Sequence, residues 1–365
     1  MIVTFALFFA SFAILVFFYL AFFLRFALRS EQQPAEKAYW PPVTVIICAR
    51  NEWHNLQRFL PLVLHQDYPF FEVIVVNDGS TDNTAGGLQS INHNRLRVIS
   101  HQKRDDDFSG KRSALRAGLE AAAYEIILLT DADCLPASNR WIQCMVSALQ
   151  EGQQIVLGYS PYLPEEGLLN RFIRYENFLT ALYYLSFASA GFPYMGVGRN
   201  LLYRKSVLAE IKTPVTKRTL MSGDDDLTVN RLAHKQNVAL MIHPDAHVFT
   251  LAPAAFSAFI HQKRRHYAAG YHYRMRHQAV LGTLYFSQVA FNVTFLILLL
   301  QGFMLIGAIT IFLIKNFLQL LIFRKAMQKL NVHNLWLFTP VFDICASLFF
   351  VTLGSLSLFK VKTWK

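Results

Sequence analysis

The sequence predicts an α/β domain, a mostly parallel sheet with flanking helices, held between apolar segments near both ends of the chain. Three observations carry this. Continuous apolar, β-branched runs alternate with helical stretches, each run finishes in polar or acidic residues, and the apolar excess is confined to Met1–Leu28 and the region from about Val280 onward. Strands alternating with helices pack as a parallel sheet covered on both faces. With 365 residues, 53% apolar and 16% charged, the chain allows one domain of roughly 200–250 residues plus membrane segments.

Each element follows from its residues. TFALFFASFAILVFFYLAFFL, Thr4–Leu24, has no charge and about the 20 residues needed to cross a bilayer. It lacks the basic n-region and small-residue cleavage site of a signal peptide, so it reads as a retained anchor. Arg25 and Arg29 follow at once, which places the middle of the chain in the cytoplasm and the N-terminus outside. Ser30–Pro42 is a polar, proline-bearing linker. VTVIICARNE reads as a buried strand, Asn55–His65 as a helix, EVIVVNDGSTDNT as a second strand with a polar turn, and LRVIS as a third. KRSALRAGLEAAA has helical apolar spacing, and YEIILLTDADC is a fourth strand ending in acids. Asn51, Asp78, Asp131 and Asp133 therefore stand where strands finish, the edge at which such sheets bind ligands.

Leu168–Phe192 is apolar all round but contains Arg171, Arg174 and Glu176, so it reads as a core or interfacial helix. Val280–Phe323 holds one interior charge, Lys315, and is either two spans or one span plus an interfacial helix. Leu335–Phe359 is a last apolar segment containing Pro340 and Asp343. An intramembrane Asp is a functional candidate by default, the alternative here being a helix break or interfacial turn at Pro340. Two spans followed by a full third crossing would put the terminal KVKTWK outside, against the charge rule; a single span or a re-entrant last segment would keep it inside.

Lys and Arg number 35 against 24 Asp and Glu, a net charge of +11 gathered near the apolar segments and in His261–His277. That placement favours membrane lipid headgroups and phosphates over nucleic acid, which is not expected as a partner. The cysteines, Cys48, Cys134, Cys144 and Cys345, form no CxxC pair; with Cys48 and Cys134 at strand-like positions they read as reduced thiols of a cytosolic domain.

TDADC sets Asp131 and Asp133 two residues apart at a strand end, so both carboxylates face one pocket. Mg²⁺ or Mn²⁺ is bound by one or two carboxylates together with substrate phosphate oxygens, which points to a diphosphate-bearing substrate. In VVNDGSTDNT, Asp82 and Thr84 read as turn and cap residues, while Asp78 is placed to accept from a ligand's base or ribose. In MSGDDDLTVNRL the adjacent acids Asp224, Asp225 and Asp226 repel one another; such a cluster sits in water, holds a metal, or keeps one member as a base.

The ordered set ARNE, VNDGSTDNT, GKRSALRAG, TDADC, GVGRN, GDDDL and QKRRH resembles the family 2 glycosyltransferases over about Pro42–His277. These are inverting enzymes of GT-A fold that use a nucleotide-sugar donor. The resemblance implies that Glu52 and Asp78 contact the nucleotide of a UDP- or GDP-sugar, with Lys111 and Arg112 nearby. It implies that Asp131 and Asp133 hold ribose and metal–diphosphate. The family's base lies three residues before a Leu, which selects Asp224 from Leu227; Gly223 replaces the family's Glu, and Asp225 is the alternative, with Asp226 left to cap a helix. HQKRRH resembles the QxxRW motif, giving Gln262 to the donor and Arg265 to the departing diphosphate. His266 replaces the Trp that stacks on the growing chain in polymer-making relatives; Lys263 and Arg264 read as a membrane-surface patch. Gly196 and Gly198 fall on the acceptor side, with His266.

The organisation implied is an anchor at residues 1–29, a linker at 30–42, a cytoplasmic GT-A domain at 43–277 and a membrane region with two or three apolar segments at 278–365. The expected function is metal-dependent sugar transfer to a lipid-linked or glycan acceptor at the cytoplasmic face of the cell's inner membrane, alongside envelope polysaccharide assembly partners. A processive polysaccharide synthase and a non-catalytic nucleotide-sugar-binding scaffold are the alternatives.

Overall fold

The structure is a computed structural model that describes residues 1–30, 33–102, 111–210 and 224–357. The segment expected to be an anchor, called the anchor helix below, is one continuous apolar helix, Ile2–Leu28, made of α1 (Ile2–Phe18), a π-helical stretch (Tyr19–Leu24) and α2 (Arg25–Leu28). Strand β1 (Val43–Ala49) is buried at every position. It lies between two parallel neighbours, β2 (Phe71–Asp78) and β4 (Ile126–Asp131), with Cys48 beside Asp131 and Ala49 beside Asn77. Ile46 and Cys48 join one core, and Val45, Ile47 and Ala49 the other. A strand covered on both faces has no polar alternation to show. Strand β3 (Leu96–His101) adds parallel to β2, and helices α3 (Trp53–Leu64), α4 (Thr84–Ser90) and α5 (Arg112–Ala121) provide the crossovers.

Past β4 the sheet becomes mixed. After β5 (Cys134–Pro136) and α6 (Trp141–Ser147) come β6 (Ile155–Gly158), α7 (Leu168–Ser189), β7 (Leu201–Arg204), α8 (Asp224–Leu232), β8 (Val238–Met241) and β9 (Val248–Thr250). The order is β3-β2-β1-β4-β7-β6-β8, with β7 antiparallel to β4 and β6 and β8 parallel to β6. β5 and β9 form a separate antiparallel pair. All four cysteines are free thiols.

The larger core does not stop at the domain. It runs from Ile74 and Ile127 of the sheet through Tyr175, Phe178 and Leu182 of α7 to Phe8 and Phe23 of the anchor, and on to Phe291 and Ala326. Those last two belong to α10 (Met275–Gln301) and α11 (Leu305–Lys329), which follow α9 (Phe256–Gly270). Phe22 and Phe23, in the π-helical stretch, lie 4.5 Å from Phe187 and 5.3 Å from Tyr183 between ring centroids, so the anchor packs on α7. Arg29 donates to Ser189 at 3.1 Å, and its carbonyl accepts from Lys329.

Among the described residues four helical segments are long and apolar enough to cross a membrane: Ile2–Leu28, Met275–Gln301, Leu305–Lys329 and His333–Gly354. The stretch Val280–Phe323 is thus two helices, broken where Gly302 and Met304 adopt left-handed backbone, φ 65° and 48°. Pro340 lies in the first turn of α12 (Thr339–Ser357), where its missing N–H is tolerated; it starts the helix and does not break it. Helix α12 begins against α7, with Phe342 5.6 Å from both Phe172 and Tyr175. It ends against α9, where Phe349 stacks on Phe259 at 5.2 Å and the Gly354 carbonyl accepts from the Tyr271 hydroxyl at 2.7 Å.

The two charges of the apolar region form one network. Lys315 pairs with Asp343 at 3.1 Å and donates to Gln319 at 2.7 Å, while Gln288 donates to Asp343 at 2.6 Å. All four are buried, joining α10, α11 and α12. Asp343→Leu alone leaves the Lys315 ammonium unpaired and is expected to lower stability by about 3–5 kcal/mol, whereas combining it with Lys315→Met restores most of the loss. Thermal unfolding in detergent reads both; equal destabilisation of single and double variants contradicts the pairing.

Candidate active site

Parallel register brings the ends of β1, β2 and β4 to one edge, and the acids predicted from sequence gather there. Asp131 closes β4, and the Lys111 ammonium at the head of α5 sits on its carboxylate. Ligand atoms of Asp131, Asp133 and Cys134 lie within 4.8 Å of one another. Burial, then the charge of Asp131, push the Asp133 carboxyl above its ordinary value, with Arg199 pulling it back. Burial opposes the charge on Lys111, but Asp131 and Asp225 outweigh it and raise its pKa.

The loops after β1 and β2 are tied together. Asn51 takes a left-handed φ of 56°, and its amide oxygen accepts from the Thr81 N–H at 2.7 Å. The Glu52 N–H donates to Thr84 at 3.0 Å, while its carboxylate accepts from Asn55 at 2.6 Å at the cavity wall. Asp82 accepts from the Thr84 N–H at 3.0 Å, the turn role expected of it, while Asn83 stands at the cap of α4 without a side-chain capping bond. Asp78 is buried at the end of β2, 4.0 Å from the His101 ring nitrogen.

Across the cavity stands GVGRN. Asn200, fully buried, accepts from the Trp141 indole at 3.0 Å and donates to the carbonyls of Tyr159 and Ala246 at 2.9 and 2.7 Å. This clamp holds the turn so that the Arg199 guanidinium lies 5.0 Å from the Tyr162 ring centroid and 3.5 Å from the Asn177 amide oxygen. Burial opposes its charge, but Tyr162, Cys134, Asp133 and Asp131 raise its pKa. In the sequence the only sign of Arg199 is a cation placed beside two glycines. Those glycines serve close packing: a Cβ on Gly196 would stand 2.9 Å from Val229, and one on Gly198 only 1.7 Å from the Asp225 carboxylate.

Asp225 thus reaches the cavity over Gly198. Burial raises its pKa, Lys111 counters, and Asp131 adds to the rise. Asp226 accepts from the Tyr273 hydroxyl at 3.5 Å. Asp224 begins α8, and its side chain lies outside the described residues.

Helix α9 closes the site with Gln262, Arg265 and His266 on the cavity wall. Gln262 accepts from the Tyr162 hydroxyl at 3.0 Å. Burial lowers the Arg265 pKa and Asp131 raises it. Burial, followed by Lys263, Arg265 and Arg199, holds His266 well below its ordinary value and therefore neutral. Lys263 departs from the surface patch expected of it: it is buried in an ion pair with Glu176 of α7, which also accepts from Tyr267 at 3.2 Å. The shared cavity is about 700 Å³, ample for a small-molecule ligand.

Residues 44–212 match the model of the family described as Glycosyl transferase family 2. The matched segment is a family 2 glycosyltransferase domain. Curated relatives align with part of the chain. Poly-beta-1,6-N-acetyl-D-glucosamine synthase of Staphylococcus epidermidis is 32% identical over 114 residues, 29% of this chain and 24% of that protein. Glycosyltransferase AglE of Haloferax volcanii is 32% identical over 113 residues, 30% of this chain and 36% of that protein. The aligned part thus spans about a quarter to a third of these relatives' length. The mannosyltransferase PcManGT of Pyrobaculum calidifontis, solved with GDP-Man and Mn²⁺, shares the GT-A fold at a TM-score of 0.60 over 93% of this chain and 97% of its own, with 19% identity.

Within the family 2 domain, Gly198→Ala forces the Asp225 carboxylate aside. Stability is expected to fall by about 1–3 kcal/mol, the usual cost of overpacking; chemical denaturation of the purified protein checks it, and an unchanged midpoint contradicts the close approach.

Proposed function

We propose that the protein is a membrane-bound inverting glycosyltransferase that moves a sugar from a UDP- or GDP-sugar to a hydroxyl of a lipid-linked or glycan acceptor. The observation that carries this is the convergence of Asp131, Asp133 and Asp225 with Lys111, Arg199 and Arg265 in one cavity at the strand ends, closed by α9. Glu52 and Asp78 flank the nucleotide side, with Gln262 opposite.

Asp225 is the assigned base, because on the cavity wall it interacts with Lys111 and Asp131, whereas Asp226, on the same wall, accepts from Tyr273; Asp224, which motif spacing selects, heads the same helix. Asp225 takes the proton from the acceptor hydroxyl, whose oxygen forms the new bond to the anomeric carbon as the bond to the diphosphate oxygen breaks. A raised carboxyl pKa makes a stronger base, and Lys111 keeps it ionised near neutral pH. Arg265 and Arg199 face the charge developing on the leaving group, where fixed cations in a dry site act most strongly. Neutral His266 is free to stack on or hydrogen-bond to the acceptor.

Asp131 and Asp133 suit a hard divalent ion: two carboxylates close together at an open cavity, with room for phosphate oxygens. Mg²⁺ or Mn²⁺ held there would supply positive charge to the departing diphosphate. The Mn²⁺ and GDP-Man of the mannosyltransferase of like fold support this assignment.

For topology, the anchor, α10 and α11 cross the bilayer, and α12 is re-entrant: Asp343 near its start pairs with Lys315 midway along α11, and its other end returns to α9. Arg25, Arg29, Arg324, Lys325, Lys329 and the terminal KVKTWK then share the domain's side, and the uncharged turn at 302–304 lies opposite, as the charge rule asks. The synthase named among the relatives favours a second reading, processive polymer synthesis in the cell envelope.

Nucleoside diphosphate release in lipid nanodiscs, with a panel of UDP- and GDP-sugars and lipid extract, tests the reading. Asp225→Asn is expected to lower kcat by about 10²–10⁴-fold. Its raised pKa places the acid limb of the wild-type kcat/KM profile above the ordinary carboxylate value of about 3.9, activity falling as pH drops through it, and the limb disappears in Asp225→Asn. Wild-type turnover in that variant removes the base assignment. Asp133→Asn is expected to weaken Mn²⁺ activation by roughly 10–100-fold, read from metal titrations of the same assay.

A further inference from the structure

We propose that the gap between α10 and α12 is a side entrance holding the hydrocarbon chain of a single-chain lipid phosphate, the acceptor's anchor. This rests on the transferase reading above and names the acceptor class. The cavity does not end at the acids: it continues past α9 to a wall formed by α10 and α12. Its lining changes along the way. Near the strand ends it is charged; between the helices it is Leu281, Tyr285, Phe286 and Val289 facing Phe350 and Val351.

The gap is open to the side. Tyr285 and Phe350 meet at 4.8 Å between ring centroids, while Phe286 and Val351 are 65% and 50% exposed at the rim. Gly282 on α10 and Gly354 on α12 both line the cavity, and a Cβ built on Gly282 meets no heavy atom of the described residues within 4 Å.

The gap cannot simply close. Phe349 stacked on Phe259 and the Tyr271–Gly354 hydrogen bond fix one end of α12, and Asp343, bound to Lys315 and Gln288, fixes the other. The occupant is therefore supplied from outside. A glycan would need hydrogen-bonding groups along its path, and in this wall the amide nitrogen of Gln288 already donates to the Asp343 carboxylate and the Ser347 hydroxyl to the Asp343 carbonyl. A hydrocarbon chain needs none. The cations Arg199 and Arg265 stand in the same cavity where the chain meets the site, which suits a phosphate linking chain to sugar.

The test uses the full chain in nanodiscs and a long polyprenyl phosphate carrying a diazirine at its far end. Label is expected on the segments 281–289 and 347–354, competed by unlabelled polyprenyl phosphate and not by phosphatidylglycerol. The lipid-facing residues Ile306, Leu313 and Phe317 of α11, exposed by 85%, 60% and 64%, serve as the reference surface. Gly282→Leu or Gly354→Leu is expected to cut groove labelling roughly 10-fold by filling the gap, with the melting temperature as the check on folding. Should either Leu variant melt early, Gly282→Ala gives a smaller loss in the same direction. Labelling spread evenly over α11 and the gap, competition by phosphatidylglycerol, or labelling unchanged in the filled variants overturns the proposal. Groove-specific labelling without diphosphate release from any acceptor leaves the lipid site standing and removes the transferase reading; release with unspecific labelling does the reverse.

Discussion

The site depends on keeping three carboxylates together where water is scarce. Asp131, Asp133 and Asp225 share a cavity, and burial drives Asp133 and Asp225 to hold their protons. Lys111 and Arg199 oppose that, and Arg265 interacts with Asp131. Much of the surrounding structure places these cations: the first turn of α5 carries Lys111, the buried Asn200 clamp aims Arg199, and the Lys263–Glu176 pair seats α9 and with it Arg265. Among the described residues that line the cavity acids and cations match, five of each, which leaves little positive charge to spare. A nucleoside diphosphate entering such a balanced site has to bring its own counter-charge, which agrees with a divalent ion held by Asp131 and Asp133.

The same economy of charge runs through the apolar half. Hydrophobic burial joins the sheet, α7 and the apolar helices into one core, so most of that half needs no polar contact at all. Two buried ion pairs occur there, Lys315 with Asp343 and Lys263 with Glu176. Each pair links helices distant in sequence and fixes their relative placement, a use of buried ions better supported than any gain in stability.

Much of this was legible in the sequence, and the limits have physical causes. β1, β2 and β4 are long apolar runs ending in polar residues, so both the strands and the binding edge could be read. β6, β7 and β8 have four residues each, too few to show a period, and the antiparallel turn of the sheet at β7 left no trace. The acidic cluster was evident, but which acid faces the cavity depends on the rotation of α8, where successive residues point about 100° apart. The role of Gly198 is invisible without knowing that Asp225 lies against it. Lys263 looked like a surface cation because its partner, Glu176, lies on another helix.

The π-helical stretch at Tyr19–Leu24 sets a further property. By turning Phe22 and Phe23 together onto α7, it makes the anchor part of the domain wall and not a tether. A tethered enzyme samples a range of heights above a bilayer; under the proposed function this one has a single height, fixed by aromatic packing. The span from the bilayer surface to Asp225 would then act as a gauge, admitting acceptors whose reactive hydroxyl stands at that level and passing over those whose linkage is a sugar too short or too long.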